Sequence, residues 1–200
     1  MRIGVDLDDT LSIMKKDFDI SICNYATSIG KNPNYQKLQQ MHKDPNAKHI
    51  YSTCCDLTKK EIHQFFCDFH ENTSLNVPAR ENCANVLNKL KAEGDEIYII
   101  TAREKEVYPN VENITRLWLK KHNIPYDKLI TSATEKGFIA IKEKIDVLID
   151  DCLANCQDVE NLGIPSIKFC DYEIENSTND WLKIYDMISN MKKEKQEKQT

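Results

Sequence analysis

The residues best suited to do chemistry in this chain are acids that stand close together at the ends of apolar runs. Asp6, with Asp8 and Asp9 just beyond it, closes the run RIGVD (2–6), and Asp150–Asp151 close DVLID (146–150). A further run, EIYIIT (96–101), ends on Thr101 with Ala102 and Arg103 behind it; Ser132 and Lys136 follow a short one at Leu129–Ile130. Short β-branched runs separated by helical stretches predict a parallel α/β sheet. In such a sheet, ligands gather beyond the carboxyl ends of the strands. Brought to that edge, Asp6, Asp8, Asp9, Asp150 and Asp151 repel one another and shift one another's pKa values. A divalent cation relieves that repulsion, and oxygen ligands without His or Cys suit Mg²⁺. Hydroxyls and cations on the neighbouring strands suit an anionic, oxygen-rich group, so the residues point to Mg²⁺ and phosphate.

The elements that must position these groups follow from apolar spacing. Arg80–Glu93 carries Val86, Leu87 and Leu90 on one face and stops at Gly94. Val111–His122 carries Ile114, Leu117 and Trp118; Thr178–Met191 carries Trp181, Leu182, Tyr185 and Ile188. The closing KKEKQEKQT has no apolar period and reads as a fraying helix end or solvated tail. From the second strand on, strands recur at the spacing of βαβ units, with a fifth at Ser166–Phe169. Far more chain separates the first from the second, and Lys15–Ile29 and Thr58–Glu71 within it are patterned as helices. Its middle, Lys31–Asp56, is rich in Asn, Lys and Pro and reads as irregular. The expected organisation is an α/β core, residues 1–12 and 79–200, with a helical cap of residues 13–78 inserted after the first strand.

Composition narrows the classes. The 200 residues carry a net charge of −5, with 30% charged residues, and no basic cluster stands free of acids. That argues against binding a nucleic acid polymer. No apolar run is long enough to span a membrane, and Asp6 falls where a signal peptide needs apolar residues, so a cytoplasmic protein is expected. Eight cysteines without a CxxC pair or finger-like histidine spacing read as reduced, mostly buried side chains, Cys152 among them.

The motifs add up to a resemblance. VDLDDTL (5–11) resembles the first motif of the haloacid dehalogenase superfamily, D-x-D-x-[TV]-[LV]; Thr101 resembles the second, Lys136 the third and IDD (149–151) the fourth. The likeness covers essentially the whole chain, and the insertion matches the superfamily's helical cap of the first type. ITAR (100–103), WLKKHNIPYDKLI (118–130), EKG (135–137) and KIDVLIDD (144–151) are most similar to the cytosolic 5′(3′)-deoxyribonucleotidases and their bacterial relatives. The chain has Asp9-Thr10 and Ala102-Arg103 where the animal enzymes have a DGV run and a Ser-Pro.

The resemblance implies a Mg²⁺-dependent phosphomonoesterase acting on a small phosphorylated metabolite, with a nucleoside monophosphate first in line. Asp6 would be the nucleophile and Asp8 the general acid and base. Asp6, the Asp8 carbonyl and one of Asp150 and Asp151 would hold the metal, with Asp151 favoured and Asp150 reaching Lys136 or a water. Thr101 and Lys136 would hold phosphate oxygens, with Ala102 and Arg103 in the substrate site. A sugar phosphate or phosphoserine is the alternative substrate, and a non-enzymatic receiver-like phosphoacceptor the remote one.

Simpler readings stand beside these. Asp9 and Thr10 could end the strand and cap the next turn, Ser132 could serve a turn, and Arg103 could pair with a surface acid. Phe65, Phe66 and Phe69 could stack a base or form the cap's own core, with Tyr25 and Tyr51 weaker candidates. Lys128, Lys142 and Lys144 rival Lys136 but lie at the wrong strand end or toward solvent.

Overall fold

A computed structural model describes residues 1–42, 49–105, 110–170 and 174–197, the side chains of 69–72 excepted. Six parallel strands form one sheet in the order β3-β2-β1-β4-β5-β6. They are β1 (Arg2–Val5), β2 (Glu96–Ile100), β3 (Lys128–Ile130), β4 (Val147–Asp150), β5 (Ser166–Phe169) and the two-residue β6 (Ser177–Thr178). The central strands are buried on both faces, with Ile3, Val5, Ile97, Ile99, Val147 and Ile149 at 0% exposure on one and Ile100 and Leu148 at 0% on the other. That is why they read as continuous apolar runs. Both β2 and β4 pair with β1, so the chain reverses its direction of travel across the sheet between β1 and β4. Crevices at such reversals are where open α/β sheets bind ligands.

Between β1 and β2 lie α1 (Lys15–Ser28), α2 (Tyr35–Met41), α3 (Ile50–Cys55), α4 (Lys59–Phe65), a π-helical turn over Phe66–His70, α5 (Glu71–Asn76) and α6 (Cys83–Ala92). The stretch expected to be irregular therefore contains two short helices, apart from 43–48, which lie outside the described residues. Asn34 starts α2 by accepting the Lys37 N–H at 2.9 Å. Thr58 and Glu61 start α4 as a reciprocal capping box, with bonds of 3.2 and 2.7 Å. A β-bridge pairs Ser12 with Ala79, flanked by Ile13 N–H to Pro78 O and Arg80 N–H to Leu11 O, at 2.9 and 2.7 Å. The two connections to the helical insertion are thereby tied together. Phe18, Ile22, Leu38 and Phe65 of the insertion belong to the same apolar cluster as Ile3, Val5 and Leu87.

The remaining helices are α7 (Val111–Lys121), α8 (Lys136–Glu143), α9 (Leu153–Asn161) and α10 (Trp181–Glu197). Two of the expected faces need correction. Leu117 and Leu182 are about half exposed, and the buried faces use Thr115 and Leu119 in α7 and Ile184 in α10. The charged stretch read as a fraying helix end or a tail is the former: α10 runs to Glu197, and Lys192 and Lys195 tie it to Asp95 and Asp146. Gly94 ends α6 at φ 92°, which a side chain would strain.

Candidate active site

The Asp6 N–H bonds the Ile149 carbonyl at 2.9 Å, carrying the β1–β4 ladder one residue past β1 and setting Asp6 beside Asp150. The chain then turns sharply, with Asp9 at φ 66°. The Asp9 carboxylate accepts the Met14 and Lys15 N–H groups at 3.2 and 2.8 Å, so it caps the turn leading into α1. Thr10 does more than end a strand. Its hydroxyl accepts the Asp151 N–H at 3.0 Å and lies 3.5 Å from an Asp151 carboxylate oxygen. Trp181, buried against the same loop, donates its indole N–H to the Thr10 carbonyl at 3.2 Å.

Lys136 stands at the first turn of α8 with its side chain 2% exposed. Its ammonium bonds both Asp6 Oδ1 and Asp150 Oδ2, the second at 2.5 Å. Gly137 follows it, held on the neighbouring helix. Its N–H donates to Asp158 of α9 at 2.7 Å, and a Cβ there would lie 2.5 Å from that carboxylate, so a larger residue would have to push the Asp158 side chain off this bond. Asp150 also accepts the Cys152 N–H at 2.9 Å and the Asn155 amide at 3.1 and 3.2 Å. The rivals are elsewhere: Lys128 bonds Glu143 at 2.6 Å, and Lys142 and Lys144 lie away from the cavity lining.

Burial dominates the electrostatics. It raises the Asp6 carboxyl well above the ordinary aspartate value; Lys136 opposes this, while Asp150, Asp151 and Asp8 add to it. Asp151 is pushed up to about 7 by burial, with Asp150 and Asp9 adding and Lys15, 3.6 Å away, opposing. Burial alone would lower Lys136, but the charges of Asp6 and Asp150 more than reverse that and keep the ammonium protonated. Three carboxylates thus crowd one buried ammonium.

Arg103 pairs with an acid of the site itself, not with one on the surface. Its Nε donates to Asp8 Oδ2 at 2.8 Å and its Nη2 to Asp8 Oδ1 at 2.6 Å. The guanidinium is buried, with Nη1 donating to Thr115 of α7 at 3.3 Å. The Ser12 hydroxyl lies 3.4 Å from Asp8 Oδ1.

A cavity of about 410 Å³ joins these groups, lined by Asp6, Asp8, Thr101, Ala102, Arg103, Lys136, Asp150 and Asp151. The eight residues that the family resemblance assigned to the site therefore meet at one edge. Ser132 does not line the cavity. It sits at φ 54° and accepts the Lys105 N–H at 3.4 Å, as a turn residue does. Cys152, expected to be buried, is exposed and borders the cavity because it occupies the N-cap of α9. Partial desolvation raises its thiol pKa, which keeps it protonated and poorly nucleophilic. Five of the other cysteines are buried and all are free thiols.

Of the insertion's aromatics, Phe66 reaches the cavity from the π-helical turn. Phe65 is fully buried against Phe18 and Tyr25, and Tyr51 packs on Phe18. The Phe69 side chain lies outside the described residues. Lys15, Ser12, Thr115 and Asn155 were not foreseen as site neighbours; none belongs to a motif, and only the fold brings them there.

One carboxylate oxygen from each of Asp6, Asp150 and Asp151 lies within 4.8 Å of the others. This all-oxygen set fits a hard divalent cation. Asp150 is already engaged by Lys136, Asn155 and Cys152, whereas the Asp151 carboxylate meets only longer contacts from Thr10 and Lys15.

A family model described as "5′ nucleotidase, deoxy (Pyrimidine), cytosolic type C protein" matches residues 1–195. Among solved structures, the chain is similar to a haloacid dehalogenase-like family hydrolase from Streptococcus pneumoniae, with TM-score 0.69 and 14% identity over 94% of this chain and 97% of that one. It is also similar to CbbY from Rhodobacter sphaeroides. A single-residue mutant of that protein in complex with xylulose-(1,5)bisphosphate gives TM-score 0.64 and 12% identity, over 90% of this chain and 94% of that one. CbbY in complex with phosphate gives 0.64 and 13% over the same shares. No curated protein matches the sequence.

Proposed function

Because the chain belongs to the cytosolic type C 5′ nucleotidase family and is a phosphatase of the haloacid dehalogenase type, we propose that it hydrolyses nucleoside monophosphates, deoxyribonucleotides first among them, through an aspartyl-phosphate. The observation carrying this reading is the convergence of Asp6, Asp8, Thr101, Lys136, Asp150 and Asp151 on one cavity at the sheet's reversal point. Asp6 attacks phosphorus in line and forms the acyl phosphate while the ester oxygen leaves. Asp8, two residues on, protonates that oxygen, then takes a proton from the water that displaces phosphate from Asp6. Thr101 and the Lys136 ammonium hold equatorial phosphate oxygens, whose charge must be stabilised in the transition state.

Asp6, the Asp8 carbonyl and Asp151 would hold Mg²⁺, with Asp150 kept on Lys136. When bound, the ion neutralises phosphate and carboxylate charge in the site. The helical insertion acts as a cap that excludes bulk water, and Phe66 offers an aromatic face on which a base can stack. A receiver-like role is disfavoured, since β3 is followed by Thr131 and Ser132 where a receiver carries its phosphoacceptor Asp.

The test is phosphate release from nucleoside 5′- and 3′-monophosphates, sugar phosphates and phosphoserine, each with Mg²⁺, with EDTA, and with Asp6→Asn. We expect release concentrated on deoxyribonucleotides and abolished by EDTA and by Asp6→Asn. Release confined to the other phosphates overturns the nucleotide assignment, and release that survives Asp6→Asn overturns the mechanism.

A further inference from the structure

Arg103 sits where a phosphate or base ligand would be expected, yet its guanidinium is spent on Asp8. Two parallel bonds, 2.8 Å from Nε and 2.6 Å from Nη2, take both oxygens of the carboxylate side-on. Such a fork fixes the rotation of a carboxylate as well as its position, which a lysine ammonium cannot do. The fork is itself held on several sides. Nη1 donates to Thr115 Oγ1 at 3.3 Å, the Arg103 N–H donates to Thr101 Oγ1 at 3.3 Å, and the Arg103 carbonyl accepts the Ser132 N–H at 2.8 Å. The Arg103 side chain is 1% exposed while that of Asp8 is 26% exposed. The acid is therefore the open member of the pair, and the arginine, although it borders the cavity, has its side chain enclosed. A group bound this way serves the carboxylate it holds, and the substrate only through it.

We propose that Arg103 is a positioning residue that aims the Asp8 carboxylate as the proton acceptor for the second half of the reaction. This rests on the aspartyl-phosphate reading above. In that half, water attacks the phosphorus of the Asp6 acyl phosphate and its proton passes to Asp8. The P–O bond to Asp6 breaks, phosphate leaves, and the Asp6 carboxylate is restored. Without Arg103, Asp8 keeps its identity but loses its fixed direction, so hydrolysis of the intermediate slows while its formation from a good leaving group does not.

The experiment uses p-nitrophenyl phosphate with Mg²⁺, because its leaving group needs no protonation. In Arg103→Gln, steady-state kcat falls about 100-fold, within the range for a misplaced general base, and KM stays within about threefold. A burst of one p-nitrophenolate per active site precedes the slow phase, and acid-quenched protein carries one added phosphoryl group. Asp8→Asn gives the same burst, and Asp8→Asn combined with Arg103→Gln is no slower than Asp8→Asn alone, as for two groups acting as one unit. Arg103→Lys restores little of the rate. Thr115→Val leaves Arg103 and Asp8 in place but loosens the fork; it shows a smaller defect of the same kind, which guards against misfolding of the Gln variant. A raised KM with kcat kept and no burst makes Arg103 a substrate ligand and overturns the proposal, as does a double variant slower by the product of the two single effects. Failure of the unsubstituted enzyme to place a phosphoryl group on Asp6 overturns the hydrolase reading instead.

Discussion

Replacing Lys136 with methionine keeps the volume of the side chain and removes its charge, at a position 2% exposed between Asp6 and Asp150. Asp150 is fully buried and keeps the Cys152 N–H and the Asn155 amide, but neither bond supplies a positive charge. Removing one partner of a buried ion pair costs about 3–5 kcal/mol. For a domain of this length, that lowers the melting temperature by roughly 6–20 °C. The lower end applies if the cluster escapes part of the cost by taking up a proton, as the raised value of Asp6 allows. The pH dependence follows from the same groups. Without the ammonium, the Asp6 carboxyl is raised further above the ordinary aspartate value of about 3.9. A carboxyl raised on folding destabilises at high pH and ceases to do so as pH falls toward its unfolded value. Thermal unfolding in EDTA should therefore show a wide gap between Lys136→Met and the parent at pH 7 and a narrower one near pH 5. Added Mg²⁺ should narrow the gap at pH 7 through preferential binding to the folded state. A variant that melts within about 2 °C of the parent at pH 7 in EDTA, at most about 1 kcal/mol in a domain of this size, would refute the argument that Lys136 neutralises this cluster.

Two further outcomes concern the scaffold. Asp127 accepts the Ile97 N–H at 2.7 Å and the Lys91 ammonium at 2.6 Å; burial works against its ionisation, but these bonds win and hold its pKa below the ordinary value. Its stabilisation is present above the unfolded pKa and is lost as pH falls through the folded one. Asp127→Asn should therefore be less stable than the parent near neutral pH, by under about 1 kcal/mol given solvent screening, and should converge with it below about pH 3 in a pH series of urea unfolding. Trp118 is fully buried and donates its indole N–H to the Val77 carbonyl at 2.9 Å, joining α7 to the chain that returns from the insertion. Trp118→Phe should cost about 1–3 kcal/mol by removing a buried hydrogen bond and part of a fully buried ring, read as a lower urea midpoint with an unchanged slope; an unchanged midpoint would show the bond to be dispensable.

The sheet was legible because its central strands are buried on both faces and so appear as compact apolar runs, in which Ile97–Ile100 and Val147–Ile149 have no polar alternation to obscure them. What failed was local. Leu117 and Leu182 were assigned inward because they are large and apolar, yet they fall on the outer flank of their helices. Thr115, a polar residue that the apolar pattern discounts, is the one α7 turns toward the site. β6 is two residues long and carries no pattern of its own. The end of α10 was only half legible, for a different reason: its ion pairs with Asp95 and Asp146 are made to distant segments, and a charge run does not reveal its partners.

The same division runs through the site. Asp6, Asp8, Thr101, Lys136 and the Asp150–Asp151 pair were legible because a parallel sheet dictates where strand ends go, and chemistry restricts what is useful there. Their mutual arrangement was not. Nothing in ITAR says that Arg103 turns back onto Asp8, because that depends on β1 and β2 being neighbours and on a hydroxyl of α7 standing behind the guanidinium. Nor does DDT say that Thr10 reaches across to Asp151, a contact that exists only because β1 pairs with β4. Each residue's chemistry can be read from the chain, while the pairing of Asp8 with Arg103 and of Asp150 with Lys136 belongs to the topology. Asp150 and Asp151 make the point most sharply. They are adjacent, identical in type and both on the cavity, yet the start of α8 and Asn155 commit the first to Lys136, while the second stands against Thr10 and Lys15.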